Sequence, residues 1–256
     1  MNSEQMVAKH LSSTGGSQYH VKVACPCIDR ADAPLTDFAK LTRHFIAWVQ
    51  TDPFLVFGLP VADAYQAILE DCLNRGMTHI VAIESDMIVP RTAVDQLLVR
   101  SIAEGRPFVC GSYVFKDAAG ISVALNDDGD RSSQRIPEPF RPRGLVVANR
   151  ALPMGCAVID LGAVRHLPRP LFRTLQIPRV SDGVLEHISQ DTYFTSLLRL
   201  HGHTPMLDTN LQCIHVSRQT GECFGSPEYV VEKRLRADKV HELAVRDDFL
   251  ERHPPA

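Results

Sequence analysis

Gly76-Met77-Thr78-His79-Ile80-Val81-Ala82-Ile83-Glu84-Ser85-Asp86-Met87-Ile88-Val89-Pro90 is the passage on which the reading of the fold turns. Residues 78–83 form a continuous apolar run, the pattern of a strand buried on both faces. Polarity returns abruptly at Glu84-Ser85-Asp86, and Pro90, preset for a first helical turn, opens a helix. Upstream, Tyr65, Ile68, Leu69, Cys72 and Leu73 repeat at i, i+3, i+4, i+7 and i+8 and stop at Gly76, so an amphipathic helix ends where the strand begins.

The same alternation extends in both directions. A strand is expected over 21–25, ending at Pro26, with a loop to Pro34. Thr36 reads as an N-cap, and Phe38, Leu41, Phe45, Trp48 and Val49 have helical spacing. A second strand covers 54–57. The helix opened by Pro90 carries Val94, Leu97, Leu98 and Ile102 up to Gly105, and a strand follows over 108–114. Residues 116–150 are irregular, with an acidic turn (Asp127-Asp128-Gly129-Asp130) and a proline-rich loop, and read as an inserted hairpin or lid. A strand over 156–161, a helix from Asp191 to His201 closed by Gly202, and a strand pair over 204–216 complete the pattern.

Strands alternating with helices predict an α/β fold, a single Rossmann-like domain with a mostly parallel sheet and helices on both faces, whose ligands sit at the carboxyl ends of the strands. Pro26 and Glu84 both fall at such ends. The expected organisation is a flexible tail over 1–18, the domain over 19–225 and a charged helical tail over 226–256.

At 256 residues, 45% apolar and a formal charge of -3, the chain suits one large globular domain and argues against a surface that is basic throughout. Its apolar runs are far shorter than the ~20 residues of a membrane-spanning helix. The polar first 18 residues lack the apolar stretch of a secretory signal, so a cytoplasmic protein is expected. Seven cysteines are an odd number, set in apolar runs where a thiol acts as a small hydrophobe, which fits a reducing compartment. The spacing of Cys25-Pro26-Cys27 matches no common zinc knuckle.

Glu84 and Asp86, spaced i, i+2 at a strand end, both reach a ligand if the chain bends there, and hard oxygen ligands suit magnesium or manganese on a diphosphate. Read alone, the same pair equally caps a helix or solvates a loop. Asp191, at a helix start, is either an N-cap or a general base for an attacking hydroxyl. His215, near the end of a strand, is either a packed core histidine or a partner to Asp86 at a metal. Beyond it, the loop with Arg218 could close over a ligand. Gly155 is either a turn residue or a point of close backbone approach.

The order of these segments resembles the GT-A glycosyltransferases, especially compact family 2-like proteins of bacteria and phages. The resemblance covers about 21–216. The 76–90 passage looks like the family's strand leading into its Asp-x-Asp element. Val109-Cys110-Gly111-Ser112-Tyr113-Val114-Phe115-Lys116 is similar to its next strand, and Pro153-Met154-Gly155-Cys156-Ala157-Val158-Ile159-Asp160 to its glycine-containing turn and strand. Ser189-Gln190-Asp191-Thr192-Tyr193-Phe194 resembles its Glu-Asp helix start, and Cys213-Ile214-His215-Val216 its closing section with a metal-binding histidine. The resemblance implies glycosyl transfer from a UDP- or GDP-linked nucleotide-sugar donor, with manganese or magnesium held by Asp86 and His215. It further implies that Glu84 and Ser85 face the donor, that Pro26, Cys27 and Asp63 border the nucleotide, and that Asp191 is the catalytic base or binds the acceptor. Tyr113, Gly155 and Arg218 fall to the acceptor or a lid.

Glu84 stands where the family has aspartate, Gln190 replaces an acid, and the arginine-asparagine pair before the second helix is absent around Ala62-Asp63-Ala64. Two other readings follow from these departures and from the fold: a module that binds nucleotide sugar or carbohydrate without turnover, and a nucleotidyltransferase. The latter usually carries a glycine-rich basic loop after the first strand, which Cys25-Pro26-Cys27-Ile28-Asp29 lacks. The acceptor is a glycan or a modified nucleic acid, the second hinted at only by Arg141, Arg143 and Arg150.

Overall fold

The computed structural model describes residues 19–27, 34–36, 38, 41, 49–116, 125–127, 133–135, 141–148, 150–178 and 185–225. Both expected tails, 1–18 and 226–256, lie outside the described residues, as does most of the helix expected after Thr36.

A seven-stranded sheet organises the molecule. Its strands, in chain order, are β1 (Val21–Cys27), β2 (Val49–Phe57), β3 (His79–Ile83), β5 (Phe108–Ser112), β8 (Leu145–Val147), β9 (Cys156–Asp160) and β12 (Met206–Gln212), arranged β2-β1-β3-β9-β5-β12-β8. β1 runs parallel to β2 and β3, and β5 parallel to β12, while β9 and β8 run against their neighbours. Five strands therefore share one direction, and the α/β expectation holds.

Side-chain alternation along the strands builds two apolar layers, one on each face. Val23 and Cys25 of β1, with Val81 and Ile83 of β3, pack against Val94, Leu97 and Leu98 of α2 (Ala93–Leu98). Ala24, Ile80 and Ala82 turn to the opposite face, toward Tyr65, Ile68, Leu69 and Cys72 of α1 (Val61–Asn74) and Phe194 and Leu198 of α4 (Gln190–Leu200). Truncating a fully buried Ile68 to alanine should cost about 2–5 kcal/mol. Gly76 ends the first helix with φ of +68°, a backbone state that suits glycine.

Several boundaries differ from the sequence expectation. β1 continues through Pro26 to Cys27, because its ladder to β3 stops at Ala24 and the missing proline N–H breaks no bond on that side. Val49 lies in β2 and not in a helix; the register irregularity between Lys22 and Ala24 takes up residues 51–53, which hid the first part of the strand. The Thr36 hydroxyl donates to Met87 O at 2.8 Å, and the helix it was expected to cap lies almost wholly outside the described residues. The helix expected from Pro90 begins at Ala93 and finishes as a π-helical turn, Val99–Ala103. The strand expected to reach Val114 ends at Ser112.

Leu161 opens a short helix, α3 (Leu161–Val164), capped by Asp160, whose carboxylate accepts the Gly162 N–H at 2.8 Å. The region expected as a hairpin or lid contains a hairpin of β6 (Leu125–Asp127) and β7 (Ser133–Arg135), and also supplies β8 to the sheet edge. β10 (Leu175–Pro178) and β11 (Leu185–Ile188) form another hairpin. The pair expected over 204–216 splits: β12 stays in the main sheet, whereas β13 (Ile214–Val216) joins β4 (Met87–Ile88) and β14 (Cys223–Phe224) in a separate antiparallel sheet. No helix among the described residues is long and apolar enough to cross a membrane.

Candidate functional site

From β1 the chain moves outward to β2, then crosses through α1 to β3 on the other side of β1. That reversal opens a crevice at the carboxyl ends of β1 and β3, the usual ligand position in such sheets. A cleft of about 160 Å³ lies there, lined by Pro26, Cys27, Leu59, Val61, Ala64, Glu84, Ser85, Asp86 and Gln190. Five of the residues singled out from sequence thus meet in one place.

The Glu84-Ser85-Asp86 turn is held from three sides. Ser85 O accepts the Leu35 N–H at 2.9 Å and a guanidinium N–H of Arg218, and Glu84 N donates to Gly155 O at 2.9 Å. The small sheet adds the third tie: β13 pairs with β4, setting His215 opposite Met87, and Val216 N donates to Asp86 O at 2.9 Å. His215, distant in sequence, therefore arrives beside Asp86 through backbone pairing.

His215 Nδ1 lies 3.0 Å from Val114 O, and only the nitrogen can donate in that bond, so Nε2 is left to face Asp86 Oδ2 at 3.4 Å. Two donors each about 2.1 Å from one ion stand about 3.0–3.5 Å apart for angles between octahedral and tetrahedral, so this spacing fits a shared divalent cation. Among the described residues no group of three or more His, Cys, Asp or Glu completes a cage. Further ligands would have to be water or phosphate oxygen, the way magnesium is commonly held.

Asp86 Oδ2 also receives Lys116 Nζ at 2.5 Å. Burial works against a charged Asp86, but His215 in its imidazolium form, which donates through Nε2 and carries charge, followed by Lys116, outweighs it and holds the carboxyl well below the usual range. Glu84 goes the other way. Burial first, then the charges of Asp86 and Asp191, raise it from the ordinary 4.5 to about 8. Tyr65 Oη lies 3.0 Å from Glu84 Oε1 and 2.9 Å from Met154 O. A protonated Glu84 satisfies both contacts, since it donates to the tyrosine oxygen while the tyrosine donates to the carbonyl.

Asp191 sits in the first turn of α4, whose N-cap is Ser189. Gln190 reaches the cleft wall and Asp191 stands one residue further along the helix. Its Oδ1 is buried without a hydrogen-bond partner. Burial raises its carboxyl from 3.8 to about 7, against the pull of hydrogen bonds from the Met154 backbone and the Gln190 side chain.

The remaining candidates lie around this core. Asp63 is exposed on the first turn of α1 and does not line the cleft. Tyr113 is buried, and its Oη accepts the Gly155 N–H at 2.9 Å. A Cβ on Gly155 would stand 2.7 Å from that oxygen, so the glycine admits the tyrosine to the turn. Arg218 anchors the β13–β14 loop to Ser85. Sequence reading passed over Tyr65 and Lys116. The tyrosine was absorbed into an apolar helical stripe, and no local pattern marks a lysine whose partner is thirty positions away.

No family model matches this chain, and no curated protein matches it in sequence. Among solved structures it is similar to A197 from STIV, with a TM-score of 0.52 at 14% identity over 85% of this chain and 97% of that one. A mannose-1-phosphate geranyltransferase from Thermus thermophilus aligns over 92% of this chain and 68% of its own at 10% identity, with a TM-score of 0.25, too low to carry an argument. The first likeness supports the fold: a mixed, Rossmann-like α/β domain.

Proposed function

We propose that this chain is a metal-dependent glycosyltransferase of GT-A type that moves a sugar from a UDP- or GDP-linked donor to an acceptor hydroxyl. The observation that supports it most is the Asp86–His215 pair, spaced for a divalent cation at the mouth of a cleft at the sheet's topological switch point. Pro26 and Cys27 would border the base, with Glu84 and Ser85 along the donor.

When bound between Asp86 and His215, manganese or magnesium would neutralise the diphosphate as it leaves. The chain's own residues do the rest. Val114 O fixes the imidazole so that Nε2 faces Asp86. Tyr65 orients Glu84, which is neutral near pH 7 and so offers the sugar or ribose an uncharged hydrogen-bonding group. Asp191, with one oxygen unpartnered and its carboxyl raised to about 7, is poised to take the acceptor's proton as the hydroxyl attacks the anomeric carbon. The acceptor is a glycan or a modified nucleic acid.

Incubation with a panel of nucleotide sugars, with nucleotide release followed by mass spectrometry, tests this reading. One UDP- or GDP-linked donor should release nucleotide with manganese and not with EDTA. No metal-dependent release from any donor, alongside retained donor binding, would leave a binding module without turnover.

A further inference from the structure

Lys116 stands at the end of a segment that is tied down just before it. Val114 O accepts His215 Nδ1 at 3.0 Å, and the Tyr113 ring meets the His215 imidazole edge-on with centroids 5.4 Å apart. The lysine then reaches Asp86 Oδ2 at 2.5 Å, the same oxygen that His215 Nε2 faces at 3.4 Å. An ion shared by Asp86 and His215 needs that oxygen, so the ammonium and the ion contend for one place.

Their contest depends on what else is present. With Asp86 alone, two cations on one carboxylate oxygen repel each other. With a diphosphate in the cleft there is enough negative charge for both. A lysine suits such a shift: it is a compact charge on a flexible stem, with three donors and an affinity for phosphate. Its side chain is 34% exposed, against 13% for Asp86 and 15% for His215, so it can swing away without unpacking its surroundings.

We propose that Lys116 is a second, protein-borne cation of this site, holding Asp86 while the donor is absent and turning to the donor's diphosphate when the divalent ion takes Asp86. The proposal rests on the reading of Asp86 and His215 as the ion's partners. It makes the ion and the donor bind together, because the charge that opposes the one assists the other.

Manganese binding to the full chain, followed by the electron paramagnetic resonance of the free ion with and without UDP or GDP, tests this without any turnover. Without nucleotide, Lys116→Met should bind manganese about three- to tenfold more tightly than the parent protein, the range expected for losing one partly exposed competing charge. With nucleotide it should bind the manganese-nucleotide pair more weakly by a similar factor, and Lys116→Arg should follow the parent in both. Manganese binding that Lys116→Met leaves unchanged, or weakens under both conditions, removes the role of the lysine and leaves the Asp86–His215 reading standing. If neither the parent nor Lys116→Met binds manganese with or without nucleotide, both ideas fall together.

Discussion

Two clusters of acidic and basic side chains in this molecule are built to opposite ends. On the β12 side, Arg100 Nε meets Asp208 Oδ2 at 2.7 Å and its Nη1 meets Glu104 Oε1 at 2.6 Å, while Asp208 Oδ1 accepts the Asn210 N–H at 3.0 Å. Both of the arginine's acidic partners are answered, and Asp208 is only 2% exposed. At the cleft, Lys116 and His215 both turn to Asp86, Glu84 is pushed up toward neutrality, and Asp191, one position past the cleft wall, keeps an unpartnered oxygen. A satisfied cluster holds the fold, whereas an unsatisfied one stores an affinity for something still to come.

The sharpest break of this contrast is Asp191→Asn. Turnover of an accepted donor should fall by about 10²–10⁴-fold, the usual worth of a positioned base, while nucleotide affinity stays near the parent value. Loss of both together would make Asp191 a packing residue like Asp208.

Next is a crossed pair. Asp86→Ala should lower manganese-dependent binding of a nucleoside diphosphate by at least about 100-fold with little change in melting temperature, since its partner Lys116 is near solvent. Asp208→Ala should leave that binding within about twofold and cost about 1–3 kcal/mol, because Arg100 Nε and the Asn210 N–H lose their acceptor while Glu104 keeps its hold on the arginine. Titrating nucleotide and recording thermal melts of both variants decides the matter; similar profiles would erase the distinction between the clusters.

A further test is a pH dependence. Glu84 keeps its proton in the fold up to about pH 8, whereas the unfolded chain releases it near 4.5, so stability falls as pH rises through that window. Asp191 adds to the same slope between 3.8 and about 7. Glu84→Gln, melted in EDTA, should therefore gain on the parent protein at pH 8 and match it at pH 4. A gain of equal size at both pH values would point to packing instead of charge.

How far the sequence revealed these features follows from where their causes lie. Residues 78–83 and the α1 stripe were readable because burial and helical spacing are local patterns, and so were the two-faced layering and the strand-end placement of Glu84 and Asp86. The antiparallel β9 between β3 and β5 was not, because strand direction in a mixed sheet depends on the whole path of the chain. Pro26 misled because a proline ends a ladder only on the side its missing N–H would face. The Lys116–Asp86 pair and the Tyr65–Glu84 bond exist only after folding has brought separate segments together. His215 was legible as a residue type, but its tautomer became assignable only with Val114 O in place.

The small sheet of β4, β13 and β14 carries a consequence for how the site could be gained or lost. Because β13 is registered with β4 residue by residue, inserting a single residue between Gln212 and Cys213 would carry His215 past Met87 and turn the imidazole to the other side of its strand. Of the two apolar layers, only Cys213 would be displaced directly. A chain of this fold can thus lose its Asp86–His215 pair to a slip in spelling, with both side chains still in its sequence.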